Sequence, residues 1–130
     1  MGLGMSPFLA ERLADCQSGS ITVTGVGASR ASAYQMGRGQ FLLNVQGSNS
    51  GKAVALPGVG GDTGCLLGDP FTIHSYADAN GSTTVYGQTG SSIVQSSSII
   101  SGSLGVSISS GFTATFWTIS ASTWICQVSA

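Results

Sequence analysis

The C-terminal part of the chain carries no charge. After Asp78 the remaining 52 residues contain no Lys, Arg, Asp, Glu or His, and the stretch at 87–111, GQTGSSIVQSSSIISGSLGVSISSG, consists of small, hydroxyl, amide and aliphatic residues. Across the whole chain 7% of residues are charged, against roughly 25% in an ordinary soluble domain. The solubility of this segment must therefore depend on hydroxyl and amide groups instead of charges. A surface so neutral is easier to explain if copies of the chain or a partner cover it.

The length and the charge balance limit the class of protein. A chain of 130 residues is the size of one domain, and 42% hydrophobic residues supply a core that disordered chains lack. The net charge is −1, and all four basic residues precede residue 53. No basic patch is present to meet a phosphate backbone, so we do not expect nucleic acid as a partner. No apolar run approaches the ~18 residues of a membrane helix, so we expect no membrane partner.

The three cysteines do not form a recognisable framework. Cys16, Cys65 and Cys126 are odd in number and widely spaced, and no CxxC occurs. Zinc sites and disulfide-rich folds show paired spacing. We therefore expect buried free thiols in a protein made in a reducing cytoplasm. One disulfide plus one free thiol is the alternative.

The N-terminal segment differs from the rest of the chain. Ser6 can cap a helix that begins at Pro7, and Leu9, Leu13 and Cys16 then fall on one face. This pattern predicts a short helix over roughly residues 7–16, within an arm formed by residues 1–18. The arm either packs on its own domain or docks on a partner.

From residue 20 onward the hydrophobic period changes to two. Strands are predicted in ITVTGV, QFLLNVQ, KAVALP, FTIHS, STTVY, GFTATFWTI and TWICQVSA, with shorter ones near 91–93, 98–100 and 104–108. Asn80-Gly81 is a strong hairpin motif and is expected to join FTIHSY to STTVY. Short strands with turns every ~8–12 residues predict an all-β fold, an antiparallel β-sandwich or barrel-like domain over residues 19–130.

The residues that carry chemistry are sparse. His74 is the only histidine, and a catalytic triad would pair it with Asp62, Asp69 or Asp78, but no GxSxG motif supplies the serine. The loop GVGGDTG lacks the GK[ST] ending of a phosphate loop, and DANG lacks the acidic positions of a calcium loop. We therefore expect no catalytic residue, no cofactor and no metal. A hydrolase that uses His74 is kept as a distant alternative.

From Lys52 to Trp124 the chain resembles a set of small virion proteins of tailed bacteriophages. The elements that carry the resemblance are AVALP (53–57), FTIHS (71–75), NGSTTVY (80–86), TGSSI (89–93), ATF (114–116) and STW (122–124). The chain departs from that pattern where His74-Ser75 replaces an Asn and where Gly87 follows Tyr86 in place of Pro. Residues 1–50 fall outside the match.

The resemblance implies a capsid decoration, or cement, protein on the virion surface, made in the host cytoplasm. Such a protein is expected to form a homotrimer and to bind the major capsid protein. Region 1–50 of this chain contains the arm and most of the basic residues, and we therefore expect it to face the capsid. The candidate capsid contacts are Phe8, Leu9, Arg12, Leu13, Arg30 and Arg38. The candidates for core and trimer contacts are Phe71, Ile73, Val85, Ile108, Phe112, Phe116, Trp117 and Trp124.

A second function remains open at this point. The chain can instead be a receptor- or glycan-binding module of a tail fibre, baseplate or spike. In that case aromatic side chains such as Tyr76, Tyr86 or Trp117 would stack on sugar rings.

Overall fold

The structure is a computed structural model that describes residues 20–24, 27–47 and 51–129. The helix expected at 7–16 and the arm at 1–18 lie outside the described residues, as do four candidate capsid contacts: Phe8, Leu9, Arg12 and Leu13. Within the described ranges no helix has the length and apolar character needed to cross a bilayer.

The described residues form two packed β-sheets. The seven-stranded sheet, called sheet A, has the order β1-β3-β5-β10-β11-β7-β8, and the four-stranded sheet B has the order β2-β4-β6-β9. The strands are Ser20–Thr24 (β1), Tyr34–Gln35 (β2), Leu42–Gln46 (β3), Ala53–Ala55 (β4), Phe71–Ser75 (β5), Thr83–Tyr86 (β6), Ser92–Gln95 (β7), Ser98–Ser101 (β8), Val106–Ile108 (β9), Thr113–Ser120 (β10) and Thr123–Ser129 (β11). The all-β prediction is confirmed.

The strand pairing is mixed, whereas the sequence led us to expect an antiparallel sandwich. Strands β1 to β6 alternate between the two sheets, so that β1, β3 and β5 run parallel in sheet A and β2, β4 and β6 run parallel in sheet B. Each coil of the chain thus adds one strand to each sheet, as in a short β-solenoid. Strands β7 to β11 then add the antiparallel pairs β7-β8, β10-β11, β5-β10 and β6-β9, together with one parallel pair, β7-β11.

The hairpin predicted at Asn80-Gly81 is wrong. The two strands that flank it, β5 and β6, belong to different sheets. Gly81 does adopt the left-handed backbone that the motif favours, with φ +82°. The motif therefore predicted the local turn correctly. It did not predict the partners of β5 and β6, because each strand pairs within the sheet that buries its apolar face.

The core lies between the sheets and follows from the period-two pattern. In β5 the side chains of Phe71 and Ile73 are fully buried, and Thr72 and His74 on the other face are half-buried. The Phe71 ring packs 5.3 Å from the Phe41 ring and 5.8 Å, edge-on, from the Trp124 ring. Full burial of a side chain of this size contributes roughly 1.5–3 kcal/mol, so these rings, which come from sheet A and the residue before β3, stabilise the core side of that sheet.

Candidate interaction surface

Sheet A presents an apolar row on the face that points away from the core. In the registers of neighbouring strands Trp117 (β10) lies opposite Ile125 (β11), Ile125 opposite Val94 (β7), and Val94 opposite Ile99 (β8). The neighbouring positions Phe116, Trp124, Ile93 and Ile100 point inward and belong to the core or pack against it. Strands are spaced by about 4.8 Å, so this apolar row spans about 14 Å. Ile99, at its sheet-edge end, is 77% exposed.

A groove of about 620 Å³ opens beside the apolar row. It is lined by Val94, Gln95, Ser96, Trp117, Ile125, Cys126, Gln127 and Val128. None of these described lining residues carries a carboxylate or ammonium group, and their polar side-chain groups are amides, a hydroxyl, an indole N–H and a thiol. The groove therefore suits a neutral and partly apolar occupant.

Hydroxyl and amide side chains occupy most of the rest of the same face, together with His74 and the exposed Leu42 and Ile119. Thr72 and Thr115 are joined across β5 and β10 by a hydrogen bond of 3.3 Å between their Oγ1 atoms, and His74 Nδ1 lies 2.9 Å from Thr113 Oγ1. These cross-strand pairs satisfy the face without charged groups. Asn44 lies beside His74 in the register, and its buried Oδ1 has no hydrogen-bond partner in the described part.

All charged residues of the described ranges lie in loops or at strand ends. Lys52, which directly precedes β4, is 4% exposed. Its ammonium group donates to Tyr76 O at 2.8 Å and to Gly81 O at 2.9 Å, and it lies 3.3 Å from Asp78 Oδ1. This buried amine therefore closes the loop at 76–82 that carries the chain from sheet A to sheet B.

Asp78 is the second residue that holds the loop at 76–82 closed. Its Oδ2 accepts a hydrogen bond of 2.9 Å from Gly47 N, and its Oδ1 accepts one of 2.9 Å from Asn80 N. The Gly47 hydrogen bond is the largest cause that holds the pKa of Asp78 below its ordinary value of 3.8; partial desolvation opposes it, and Asn80 and Lys52 add to the lowering. The carboxylate is therefore held in its ionised form by backbone groups.

Three other charged side chains also bind backbone groups. Arg30 Nε donates to Gly87 O at 2.9 Å, Arg38 Nη1 donates to Asp62 O at 2.6 Å, and Asp69 Oδ2 accepts from Leu66 N at 3.0 Å. Arg30 and Arg38, the two candidate capsid contacts that the structure describes, thus each anchor a loop of their own chain. Neither lies in a strand of sheet A.

Both cysteines of the described ranges are buried, and Cys126 is a free thiol, as predicted for it. Burial raises the pKa of the Cys126 thiol to about 11. The thiol is therefore protonated at neutral pH, and a protonated thiol is a poor nucleophile.

The candidates for core and trimer contacts fall into two groups. Six of them are fully buried between the sheets: Phe71, Ile73, Val85, Ile108, Phe116 and Trp124. Trp117 lies on the outer face in the apolar row. Phe112 is 38% exposed because it precedes β10 and sits in a turn, where its N–H donates to Ser109 O. The predicted strand therefore began too early, since β10 begins at Thr113 and Phe112 is not part of its inward face.

The residues weighed for catalysis are spread over the molecule. His74 contacts a threonine hydroxyl on the face of sheet A, while Asp78 and Asp69 bind the loop backbone. Among the described residues no three His, Cys, Asp or Glu side chains gather as a metal site would require.

The sequence analysis did not predict two features of the structure, the buried Lys52 and the apolar row. Lys52 was counted only as a basic residue, although the apolar run AVAL that follows it is a sign of burial. The apolar row was missed because its four members come from strands whose pairing the sequence does not give.

No family model, curated protein or solved structure matches the chain.

Proposed function

We propose that this chain is a structural virion protein that decorates the assembled head of a tailed phage as a homotrimer. The observation that carries the proposal is the outer face of sheet A, which joins an apolar row to hydroxyl and amide rows and holds no carboxylate, ammonium or guanidinium group. The likeness of residues 52–124 to small phage virion proteins supplies the biological setting.

Such a face is costly on an isolated monomer. Contiguous apolar surface on a soluble protein marks an interaction site, and charge is the usual protection against self-association. A protein whose task is to cover other protein gains from a surface of this kind. Hydroxyls are easier to bury against a neighbour than charges, since each buried charge needs its own partner.

Region 1–50 is proposed to meet the capsid. It contains the arm and three of the four basic residues, Arg12, Arg30 and Arg38. A trimer presents this region three times, so weak contacts add up through multivalency. A three-fold site on the shell matches a three-fold ligand.

Co-sedimentation with phage heads tests this function. Heads assembled without the chain are mixed with the purified protein and pelleted, and bound protein is measured against concentration. We expect saturable binding with many copies per head, because a shell repeats its binding sites. Deletion of residues 1–18 should abolish binding while the trimer persists. Absence of saturable binding, or loss of the trimer on deletion, contradicts the proposal.

One observation favours the second function, a glycan-binding module of a tail fibre, baseplate or spike. Trp117 borders the groove together with the amides of Gln95 and Gln127, and an aromatic ring beside amide groups suits a neutral sugar. A glycan array distinguishes the two functions. Specific hits that are lost in Trp117→Ala, together with a low copy number per virion, would support the glycan-binding module instead.

A further inference from the structure

We propose that the outer face of sheet A is the surface through which copies of this chain associate, with the Ile99 end of the apolar row on one copy packed against the Trp117 end on the next. This inference rests on the proposed function for its biological setting. It adds to that function which two ends of the apolar row meet between neighbouring copies.

The charge pattern selects a second copy as the occupant. The strands β7, β8, β10 and β11 contain no charged residue, so a charged partner would find no counter-charge on this face. A second copy is equally neutral there and leaves no charge unpaired. Burying an unpaired charge is among the largest penalties that an interface can incur.

The edge of sheet A supports the same occupant. Strand β8, with the sequence SIIS, is an edge strand of the sheet, and it holds none of the charges, prolines or bulges that keep natural edges from pairing. Ile99 projects from this edge and is 77% exposed. An unprotected apolar edge is tolerated where another chain covers it.

The two ends of the apolar row differ, and this difference sets the symmetry. Ile99 projects from the sheet edge and does not line the groove of about 620 Å³, whereas the other three members of the row, Val94, Ile125 and Trp117, do. Packing one end against the other is a heterologous contact, and heterologous contacts form a ring such as a trimer when the rotation between copies closes. Identical patches facing each other would instead produce a dimer.

Light scattering on charge-insertion variants tests the surface. The two row variants are Ile99→Asp, at one end of the apolar row, and Ile119→Asp, beside the other end; Ile119 is 58% exposed and lies on β10 two residues beyond Trp117. The matched control is Leu104→Asp, which adds the same charge at a side chain that is 75% exposed in the turn between β8 and β9. We expect the wild type and the control to associate and both row variants to fall to the 13.0 kDa of one chain.

A mixing experiment tests the symmetry. A heterologous contact uses the Ile99 end of one copy and the Trp117 end of the other, so the two monomeric variants together still offer one intact pair of ends. We expect the mixture to form a dimer of about 26 kDa, twice 13.0. A mixture that stays monomeric while each variant alone is folded overturns the end-to-end arrangement.

The outcomes separate this inference from the proposed function. If the wild type associates and the row variants keep its mass, the surface is wrong, and head binding can still hold. If the row variants become monomers but the wild-type assembly does not bind heads, the surface stands and the decoration function fails. A wild type that remains at 13.0 kDa up to millimolar concentration overturns the inference. A change in Trp117 fluorescence with neutral oligosaccharides would then assign the groove to sugars.

Discussion

The two halves of the molecule organise their loops by different means. In the first half, β1 to β6 cross between the sheets through loops such as 56–70 and 76–82, and charged side chains bind the backbone of both loops. In the second half, β7-β8 and β10-β11 are joined by tight turns. The connections at 102–105 and 109–112 also cross between the sheets, but they are short and bond to other backbone groups: Gly102 N donates to Ser91 O, and Gly111 N donates to Ser75 O. No charge occurs there.

This difference explains how the uncharged segment folds. A backbone group buried without a partner costs about as much as a lost hydrogen bond, so every loop must account for its N–H and C=O groups. Crossover loops leave many such groups, and Lys52, Asp78, Arg30, Arg38 and Asp69 satisfy some of them. The tight turns and short crossings of the second half pair their backbone groups with other backbone groups and need no charged side chain.

The largest effect is expected at Lys52. Lys52→Met leaves the carbonyl oxygens of Tyr76 and Gly81 without their shared donor, and a buried acceptor that loses its donor costs about 1–3 kcal/mol. The measurement is urea unfolding followed by tryptophan fluorescence. Asp62→Asn, at an exposed loop position, is the control and should change the unfolding free energy by no more than about 0.5 kcal/mol. A loss below about 1 kcal/mol for Lys52→Met would show that the loop closes without the amine.

The next effect is a pH dependence that arises from Asp78. Its pKa is lowered in the folded state, so its contribution to stability is complete above the ordinary value of 3.8, declines below it, and is lost once the pH has fallen through the folded-state pKa. Asp78→Asn should lack this part of the acid-induced loss, and Asp62→Asn should keep it. The measurement is the unfolding free energy between pH 6 and pH 2. Parallel curves for the wild type and Asp78→Asn would contradict the loop closure described above.

A smaller effect is expected in the turn between β7 and β8. Ser96 has φ 54°, a left-handed backbone that costs a residue with a side chain roughly 1–2 kcal/mol. Glycine avoids this strain but loses more entropy on folding, so Ser96→Gly should raise stability by up to about 1 kcal/mol. Ser97→Gly, at the neighbouring turn position, is the control and should not be stabilising. A destabilised Ser96→Gly would mean that the Ser96 side chain itself holds the turn.

The smallest effect is expected where a charge is added away from the apolar row. Ser107 is exposed on β9 of sheet B, and Ser107→Lys should change stability by less than about 0.5 kcal/mol and leave the mass in solution unchanged. Thermal unfolding and light scattering measure both properties. A fall in mass with this variant would place the association surface on sheet B.

The sequence predicted the strands better than their partners. Period-two alternation located β5, β10 and β11 because each buries one face, as the inward Phe71, Phe116 and Trp124 show. Pairing depends on contacts between distant segments, which alternation does not encode. Parallel coils were therefore missed, and Asn80-Gly81 was assigned to a hairpin. The apolar row could not be predicted for the same reason. Its members come together only when β7 pairs with β11, and they are Val94, Ile99, Trp117 and Ile125.

The most direct measurement is the mass of the wild-type chain in solution, determined by light scattering over a range of concentrations. Association through the uncharged face as a trimer predicts about 39 kDa, three times 13.0. A stable mass of 13.0 kDa at every concentration would mean that this face is exposed to water in the isolated protein, and it would contradict the account.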